Sequence, residues 1–113
     1  MKFYDSFGMN PRIVRFFMLE KSVEIDREEV DIFSMENRRE PYLSRNPSGQ
    51  TPLLELDDGT CLAETGAICE YLEEKRPEPA LIGSTSEERA VTRVWWRRVE
   101  VQICLPVLYG FYF

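Results

Sequence analysis

The chain has 113 residues, of which 43% are apolar, so it can bury one core but is too short for two complete domains. Its formal net charge of −6 comes from interspersed acidic and basic residues and includes no basic stripe, so nucleic acid is not an expected partner. The chain has no histidine, which excludes Ser/His/Asp triads and removes the commonest metal ligand. We expect one domain with an appendage and no metal.

The N-terminal segment and the cysteines bear on where the protein resides. The first residues lack the basic and apolar regions of an export signal, and no run of about 18 apolar residues is present to span a membrane. Cys61, Cys69 and Cys104 are widely separated and form no CxxC pair, which indicates neither a disulfide framework nor a zinc site. We therefore expect a cytoplasmic protein with reduced thiols and no membrane partner.

The first third of the chain predicts a β-α-β unit. Residues 1–5 form a short apolar run that predicts a strand. Asn10 followed by Pro11 is typical of an N-cap with proline at the first helical position, and the helix is expected to extend to about Lys21. The β-branched residues within 23–32 predict a second strand.

The middle of the chain predicts a loop and a hairpin. Residues 34–49 are polar and contain two prolines and a glycine, which indicates a loop with one short helix at about 40–44. Residues 53–56 and 60–62 predict two brief strands, and the Asp-Gly pair between them favours a tight antiparallel turn.

A third helix completes the first part of the chain. Thr65 can cap this helix, and Pro77 ends it because proline disfavours helix in the residue before it. A β-α-β unit followed by β-β-α is the α/β arrangement called thioredoxin-like, a mixed four-stranded sheet with helices on both faces. We expect this fold in residues 1–80.

Residues 81–113 predict a linker end and a long helix. Thr85 to Glu88 offers a capping box before an apolar-periodic segment, which finishes in the tail LPVLYGFYF. Such an apolar surface normally lies inside a protein. We expect the natural protein to continue, with this segment as the first helix of a truncated all-helical domain. The alternative is that the tail packs on its own sheet or exchanges with a dimer mate.

Residues 46–77 carry the most specific pattern, NPSGQTPLLELDDGTCLAETGAICEYLEEKRP. This segment resembles the cytosolic glutathione transferase motifs NP-x-GQ-x-P, x-L-x-DG-x-x-L and E-(S/T)-x-AI-x-x-YL-x-x-K-x-P. The segment RIVRFFMLEK is similar to the family's R-x-VR-x-x-L-x-EK. The resemblance spans residues 1 to about 83 and implies a thioredoxin-like domain that binds glutathione, an extended zwitterionic tripeptide.

The start of the third helix is the first implied glutathione contact. A helix beginning at Thr65 offers free N–H groups and the positive end of its dipole to an anion, which by resemblance is the γ-glutamyl carboxylate. Glu64 is then expected to pair with the γ-glutamyl ammonium group. A purely structural role for Thr65 as an N-cap competes with this interpretation, because capping and ligand binding use the same hydroxyl.

The remaining implied contacts come from the segment before the hairpin. Thr51–Pro52 matches the family's cis-proline position, whose outward-facing main chain pairs with the cysteinyl part of glutathione as an added strand would. Gln50 is expected to hydrogen-bond the peptide main chain or its glycyl end. Arg39 matches a basic position that pairs with the glycyl carboxylate, although Arg38 and Arg39 together also suit a solvated face.

The thiol-activating residue of the family is missing. Lowering a thiol pKa from about 8.5 by about two units takes roughly 2.7 kcal/mol of thiolate stabilisation, which transferases usually provide with a Tyr, Ser or Cys near the first helix. Alignment on Arg15 places Gly8 in that position, with Ser6 and Tyr4 nearby but out of register. The pattern resembles an atypical yeast-type class that relies on a helix dipole, water and second-domain groups. We leave the catalytic residue unassigned.

Three functions follow from these patterns. The leading interpretation is a homodimeric glutathione S-transferase for detoxification, with glutathione as co-substrate and a small apolar electrophile as second substrate; this shortened chain is expected to bind glutathione with weak or no activity. The alternative is a non-enzymatic interaction module, which the intact Gln50, Glu64 and Thr65 set disfavours. A thiol-disulfide reductase would need a cysteine where Gly8 to Asn10 lie.

Overall fold

The computed structural model describes residues 1–112, and Phe113, the last residue of the apolar tail, lies outside the described residues. The chain divides into two compact units, residues 1–79 and residues from 80 onward. Within the described range, no helix is both long enough and apolar enough to cross a lipid bilayer.

Residues 1–79 form a single mixed sheet with helices. The strands are β1 (Lys2–Asp5), β2 (Asp26–Glu29), β3 (Leu53–Glu55) and β4 (Cys61–Ala63). The helices are α1 (Met9–Glu20), α2 (Tyr42–Arg45) and α3 (Thr65–Lys75), with a 3₁₀ turn at Glu36–Arg38 before α2. The strand order is β2-β1-β3-β4, in which β1 and β2 are parallel and the other pairs antiparallel. The predicted thioredoxin-like fold is confirmed.

Helix α1 begins at Met9, two residues before the predicted start, so the prediction of Asn10 as its N-cap is wrong. Gly8 is the N-cap, with a φ of 148° that glycine adopts readily, and the chain therefore turns from β1 into the helix earlier. Pro11 lies at the third helical position. Its missing N–H costs nothing there, because the first N–H groups of a helix have no partner within the helix.

Strand β2 is shorter than the predicted strand over residues 23–32. Its neighbour β1 has only the four residues Lys2–Asp5 to pair with, and one further bond, from the Val30 N–H to the Asp5 carbonyl at 2.7 Å, ends the ladder. The four residues of β2 are charged and exposed. Charged side chains on an edge strand disfavour pairing with a second chain.

The two faces of the sheet bury different clusters. Tyr4 of β1 and Leu53 of β3 are register partners, and with Val30 and Tyr42 they form one cluster in which the two tyrosine rings meet edge to face at 6.0 Å. Side chains alternate along a strand, so the neighbouring strand residues face α1 and α3. The buried apolar side chains of the opposite face and these helices are Phe3, Val14, Leu54, Ile68, Cys69 and Leu72.

A buried ammonium group joins the C-terminal ends of α1 and α3. The side chain of Lys21 has no exposed surface, and its Nζ lies 2.5 Å from Oε2 of Glu73. The same Nζ donates to the carbonyls of Arg76 and Pro79, each at 2.6 Å. These three acceptors match the three donors of an ammonium group. The final lysine of RIVRFFMLEK is therefore a structural residue.

The unit from residue 80 onward is helical. It contains α4 (Ser86–Val99), a π-helical segment (Glu100–Cys104) and α5 (Leu105–Tyr112). The sequence predicts one continuous helix here, and the π-helical segment is a local departure from it. Pro106 explains its position, because proline has no N–H to donate to the Gln102 carbonyl and its ring crowds that carbonyl in a regular α-helix.

The predicted cap of α4 is present in a modified form. The Thr85 hydroxyl accepts a hydrogen bond from the Glu88 N–H at 3.1 Å, as in a capping box. The Glu88 carboxylate accepts from the Ser84 N–H at 2.7 Å, one residue before the cap. Large apolar side chains of this unit, including Trp95 and Phe111, are exposed.

Candidate functional site

The segment before β3 presents unused main-chain groups. The Thr51–Pro52 peptide bond is cis, as predicted. Among residues 1–112, no group forms a hydrogen bond with the N–H or the carbonyl of Thr51, and the pairing of β3 with its neighbours begins at Leu53. Main-chain groups of this kind can pair with an extended peptide that lies beside them.

Three hydrogen bonds fix the loop that carries Gln50. The Tyr42 hydroxyl and Nδ2 of Asn46 donate to the Gln50 carbonyl at 2.5 and 2.8 Å, and Nδ2 of Asn37 donates to the Gly49 carbonyl at 2.7 Å. Burial raises the pKa of Tyr42 to about 12, so its hydroxyl keeps its proton and remains a donor. The Gln50 side chain is exposed. The main chain of the loop is thus held while the amide can reach a ligand.

Gly49 is needed at its position for two reasons, and we expect Gly49→Ala to lower the free energy of unfolding by about 1–3 kcal/mol. Its φ is 65°, and an added Cβ would lie 3.0 Å from the Asn37 carbonyl oxygen and 3.1 Å from Cδ of Arg38. Gly59→Ala is the matched control, because Gly59 also has a positive φ, 87°, but open space around it. Urea denaturation of both variants measures the difference. Equal losses would show that the contact with Asn37 is unimportant.

Helix α3 begins at Thr65, as predicted, but the residue that caps it is Glu64, so the prediction of Thr65 as the N-cap is wrong. Glu64 has a φ of 71°, a region that residues other than glycine rarely adopt, and its exposed side chain forms no cap hydrogen bond. In the described part of the chain, no group forms a hydrogen bond with the Thr65 hydroxyl. A carboxylate, a hydroxyl and the first N–H groups of α3 are therefore available together.

The side chains of the two adjacent arginines in the 34–49 loop have different surroundings. The Arg39 guanidinium donates to the carbonyls of Ser34 at 2.8 Å and Met35 at 3.4 Å, so it is held within its own loop. Arg38 is exposed, and its Nη1 lies 3.3 Å from the position of a Cβ added to Gly49. Arg38 therefore lies beside Gly49, next to Gln50, while the guanidinium of the predicted Arg39 binds carbonyls of its own loop.

A polar network at the end of β1 was not predicted. Asp5 is 5% exposed and pairs with Arg15 of α1 and with Arg27 of β2, the latter at 3.3 Å. The Asp5 carboxylate also accepts from the Ser6 N–H at 2.8 Å, and the Ser6 hydroxyl oxygen lies 2.5 Å from that of Thr51. An aspartate at the end of a buried strand, with an arginine in the next helix, is the available sequence signal. The network connects α1 to the segment before β3.

Comparison with known proteins identifies the family. The model of the family described as glutathione S-transferase, N-terminal domain, matches residues 9–75. This chain belongs to the glutathione S-transferase family. Glutathione S-transferase 2 of Saccharomyces cerevisiae is 34% identical over 110 residues, which are 95% of this chain and 47% of that protein.

Solved structures of glutathione S-transferase relatives have the same fold. A glutathione S-transferase domain-containing protein of Marinobacter aquaeolei VT8 matches with a TM-score of 0.83 and 40% identity, covering 88% of this chain and 50% of that one. A glutathione transferase homologue from Sulfitobacter with bound glutathione matches with a TM-score of 0.81 and 28% identity, covering 87% and 47%. The chain thus spans about half the length of these relatives.

Tyr4 is poorly placed to activate a thiol in this glutathione S-transferase chain. Its hydroxyl donates to Oε2 of Glu55 at 2.8 Å, and the Arg45 guanidinium lies 5.3 Å from its ring centroid. Burial, together with the hydrogen bond to Glu55, raises the pKa of Tyr4 to about 12. This hydroxyl is therefore a weak acid with a partner of its own, while Gly8 contributes no side chain.

Cys61 and Cys69 do not suit thiol-disulfide chemistry. Burial raises the pKa of the Cys69 thiol to about 12, and burial also raises that of Cys61, with a further contribution from Glu55. The reactive form of cysteine is the thiolate, which neither residue favours at neutral pH. These environments weigh against the reductase interpretation.

A separate open groove of about 670 Å³ lies beside α1 and β2. Its lining includes Met18, Leu19, Val23 and Ile25. None of the predicted glutathione-binding residues lines it, so the groove is distinct from the candidate site.

Proposed function

We propose that this chain is the glutathione-binding part of a glutathione S-transferase, with residues 1–80 as the binding domain and residues 81–113 as the beginning of an all-helical domain. The observation that carries the proposal is the set of free groups at the adjacent ends of β3 and β4, where Leu53 pairs with Ala63: the Thr51 main chain, the Glu64 carboxylate and the Thr65 hydroxyl. The family membership and the glutathione-bound Sulfitobacter relative support the choice of ligand.

The γ-glutamyl end of glutathione binds at the start of α3. Its carboxylate accepts hydrogen bonds from the first N–H groups of the helix and from the Thr65 hydroxyl, because helix N-termini favour anions. Its ammonium group donates to the Glu64 carboxylate, a charge-assisted hydrogen bond of the stronger kind. The positive φ of Glu64 turns its side chain away from the capping role.

The rest of the tripeptide follows the segment before β3. The cysteinyl main chain pairs with the N–H and carbonyl of Thr51, next to Pro52, and the Gln50 amide binds the peptide main chain beyond it. Arg38, beside Gly49, pairs with the glycyl carboxylate, while Arg39 stays with its own loop. Arg38, and not Arg39, is thus the arginine proposed to bind the glycyl end of glutathione.

The proposal for the whole protein is conjugation. Glutathione is the co-substrate, and its thiol adds to a small apolar electrophile in a detoxifying reaction. The protein acts in the cytoplasm as a homodimer. The names of its relatives support transferase chemistry, and the electrophile stays unspecified.

Calorimetric titration with three peptides tests the ligand assignment. We expect glutathione to bind more tightly than cysteinylglycine, which lacks the γ-glutamyl group, by roughly tenfold or more. γ-Glutamylcysteine, which lacks the glycyl residue and its carboxylate, should bind more weakly than glutathione to the wild type, and this difference should be smaller in the Arg38→Ala variant. Arg39→Ala is the matched control and should preserve the preference. Equal heats with glutathione and cysteinylglycine, or no heat with either, would overturn the proposal.

One observation favours the alternative, a non-enzymatic interaction module. Gly8 contributes no side chain where family members usually carry the thiol-activating residue. The rate of thioether formation between glutathione and an activated aryl chloride distinguishes the two functions. Because this shortened chain is expected to be weakly active at most, the test uses the full-length protein, in which glutathione binding without any acceleration of that reaction would favour the module.

A further inference from the structure

We propose that the Thr51 hydroxyl donates a hydrogen bond to the glutathione thiolate, and that Ser6 positions Thr51 for this role. The inference rests on the proposed function, because it requires the cysteinyl part of glutathione to lie along Thr51. It assigns a donor in a chain where the usual activating position is Gly8. Thr51 touches the substrate and Ser6 acts through Thr51.

The Ser6 hydroxyl is held in one place. Ser6 is 3% exposed, its N–H donates to the Asp5 carboxylate at 2.8 Å, and its carbonyl accepts from Nη1 of Arg15 at 3.3 Å. Its hydroxyl oxygen lies 2.5 Å from the Thr51 hydroxyl oxygen. A buried hydroxyl is costly without a partner, so this pair of hydroxyls is a defined contact between the end of β1 and the segment before β3.

Counting protons shows what the pair can do. Two hydroxyls carry two protons, and only one of these lies between the oxygens. The Ser6 hydroxyl has the Phe7 carbonyl as an acceptor at 3.4 Å, a long contact, and when it donates there Thr51 is the donor of the bond between the two hydroxyls. When an anion lies beside Thr51, both hydroxyls rotate: Ser6 donates to Thr51, and Thr51 donates to the anion. Hydrogen bonds in such a chain strengthen one another.

The position of Thr51 suits the thiolate. Its main chain is the part proposed to hold the cysteinyl residue, and its hydroxyl points to Ser6, two residues before Gly8. A Cβ added at Gly8 would meet only Cδ of Pro11 within 4 Å, at 3.9 Å, so the space there is open. The thiol proton passes to solvent water, and Thr51 forms no covalent bond.

The pKa of the bound glutathione thiol, followed by the ultraviolet absorbance of the thiolate against pH, tests the inference. We expect Thr51→Val, which keeps the shape and main chain of threonine, to raise that pKa by about one unit, roughly a tenfold loss of thiolate below the pKa. Ser6→Ala should raise it by less, and Thr51→Ser should restore the wild-type value. Thr60→Val, at an exposed threonine of the hairpin, is the matched control and should leave the pKa of the bound glutathione thiol unchanged.

The outcomes separate this inference from the proposed function. Glutathione bound to Thr51→Val with an unchanged thiol pKa overturns the inference and leaves the proposed function intact. Failure of the wild type to bind glutathione overturns both. If Thr51→Val does not fold or does not bind glutathione, the Ser6→Ala variant provides the test, because it leaves Thr51 untouched. An unchanged thiol pKa in Ser6→Ala would then overturn the inference.

Discussion

Replacing Lys21 with methionine is expected to lower the free energy of unfolding by about 3–5 kcal/mol, a large part of the stability of a small domain. The ammonium group has no exposed surface and binds the Glu73 carboxylate at 2.5 Å and two carbonyls at 2.6 Å. Methionine fills similar space but leaves the buried carboxylate and both carbonyls without their donor. Urea denaturation followed by circular dichroism measures the loss.

Two further variants identify the cause of that loss. Lys75→Met removes an exposed lysine from the end of α3 and should change stability by less than about 0.5 kcal/mol. The double variant Lys21→Met, Glu73→Leu removes both charges and should recover part of the stability, because a buried ion pair is often replaceable by apolar residues. A Lys21→Met variant as stable as Lys75→Met would contradict the role assigned to the buried pair.

The Glu64→Gln variant is expected to bind glutathione roughly 10- to 100-fold more weakly than the wild type. The change keeps the size of the side chain and removes the negative charge proposed to meet the γ-glutamyl ammonium group. Calorimetric titration with glutathione measures the affinity. Glu74→Gln is the matched control, since Glu74 is an exposed glutamate of the same helix, and it should retain wild-type affinity. Equal affinities of the two variants for glutathione would show that the Glu64 carboxylate does not contribute to binding.

Glu64→Gly tests whether backbone geometry and ligand binding oppose each other at this residue. Glycine adopts a φ of 71° without the steric cost that glutamate bears, so the variant should be more stable than the wild type by about 1 kcal/mol. It also lacks the carboxylate and should bind glutathione as weakly as Glu64→Gln. A gain of stability with unchanged affinity would indicate that Glu64 serves the fold alone.

Local signals in the sequence were sufficient for most of the architecture. The prolines and glycines that mark turns, and the periodicity of the apolar residues, predict each strand and helix of residues 1–79 and the start of α3 at Thr65. The cis bond at Pro52 was predicted from the resemblance to a family motif. The N-cap predictions at Asn10 and Thr65 failed by one or two residues, because Gly8 and Glu64 adopt positive φ angles that residue type alone does not indicate.

The features that escaped prediction depend on contacts between distant parts of the chain. Asp5, Ser6 and Thr51 meet only because β1 and β3 are neighbours in the sheet. The binding of the Arg39 guanidinium within its own loop depends on how the loop before α2 folds back on its carbonyls. The length of β2 depends on the length of β1, and periodicity within residues 23–32 carries no information about that neighbour.

The charged edge of the sheet bears on how this protein behaves when it is concentrated. Two copies that met along β2 would bring together strands that each carry three acidic side chains and one basic side chain, Arg27, so that each strand is net negative. Repulsion between like charges opposes the first step toward cross-β assembly. Because dissolved salt screens exposed charges beyond about 10 Å at 0.1 M, low ionic strength should best preserve this protection during titrations at high protein concentration.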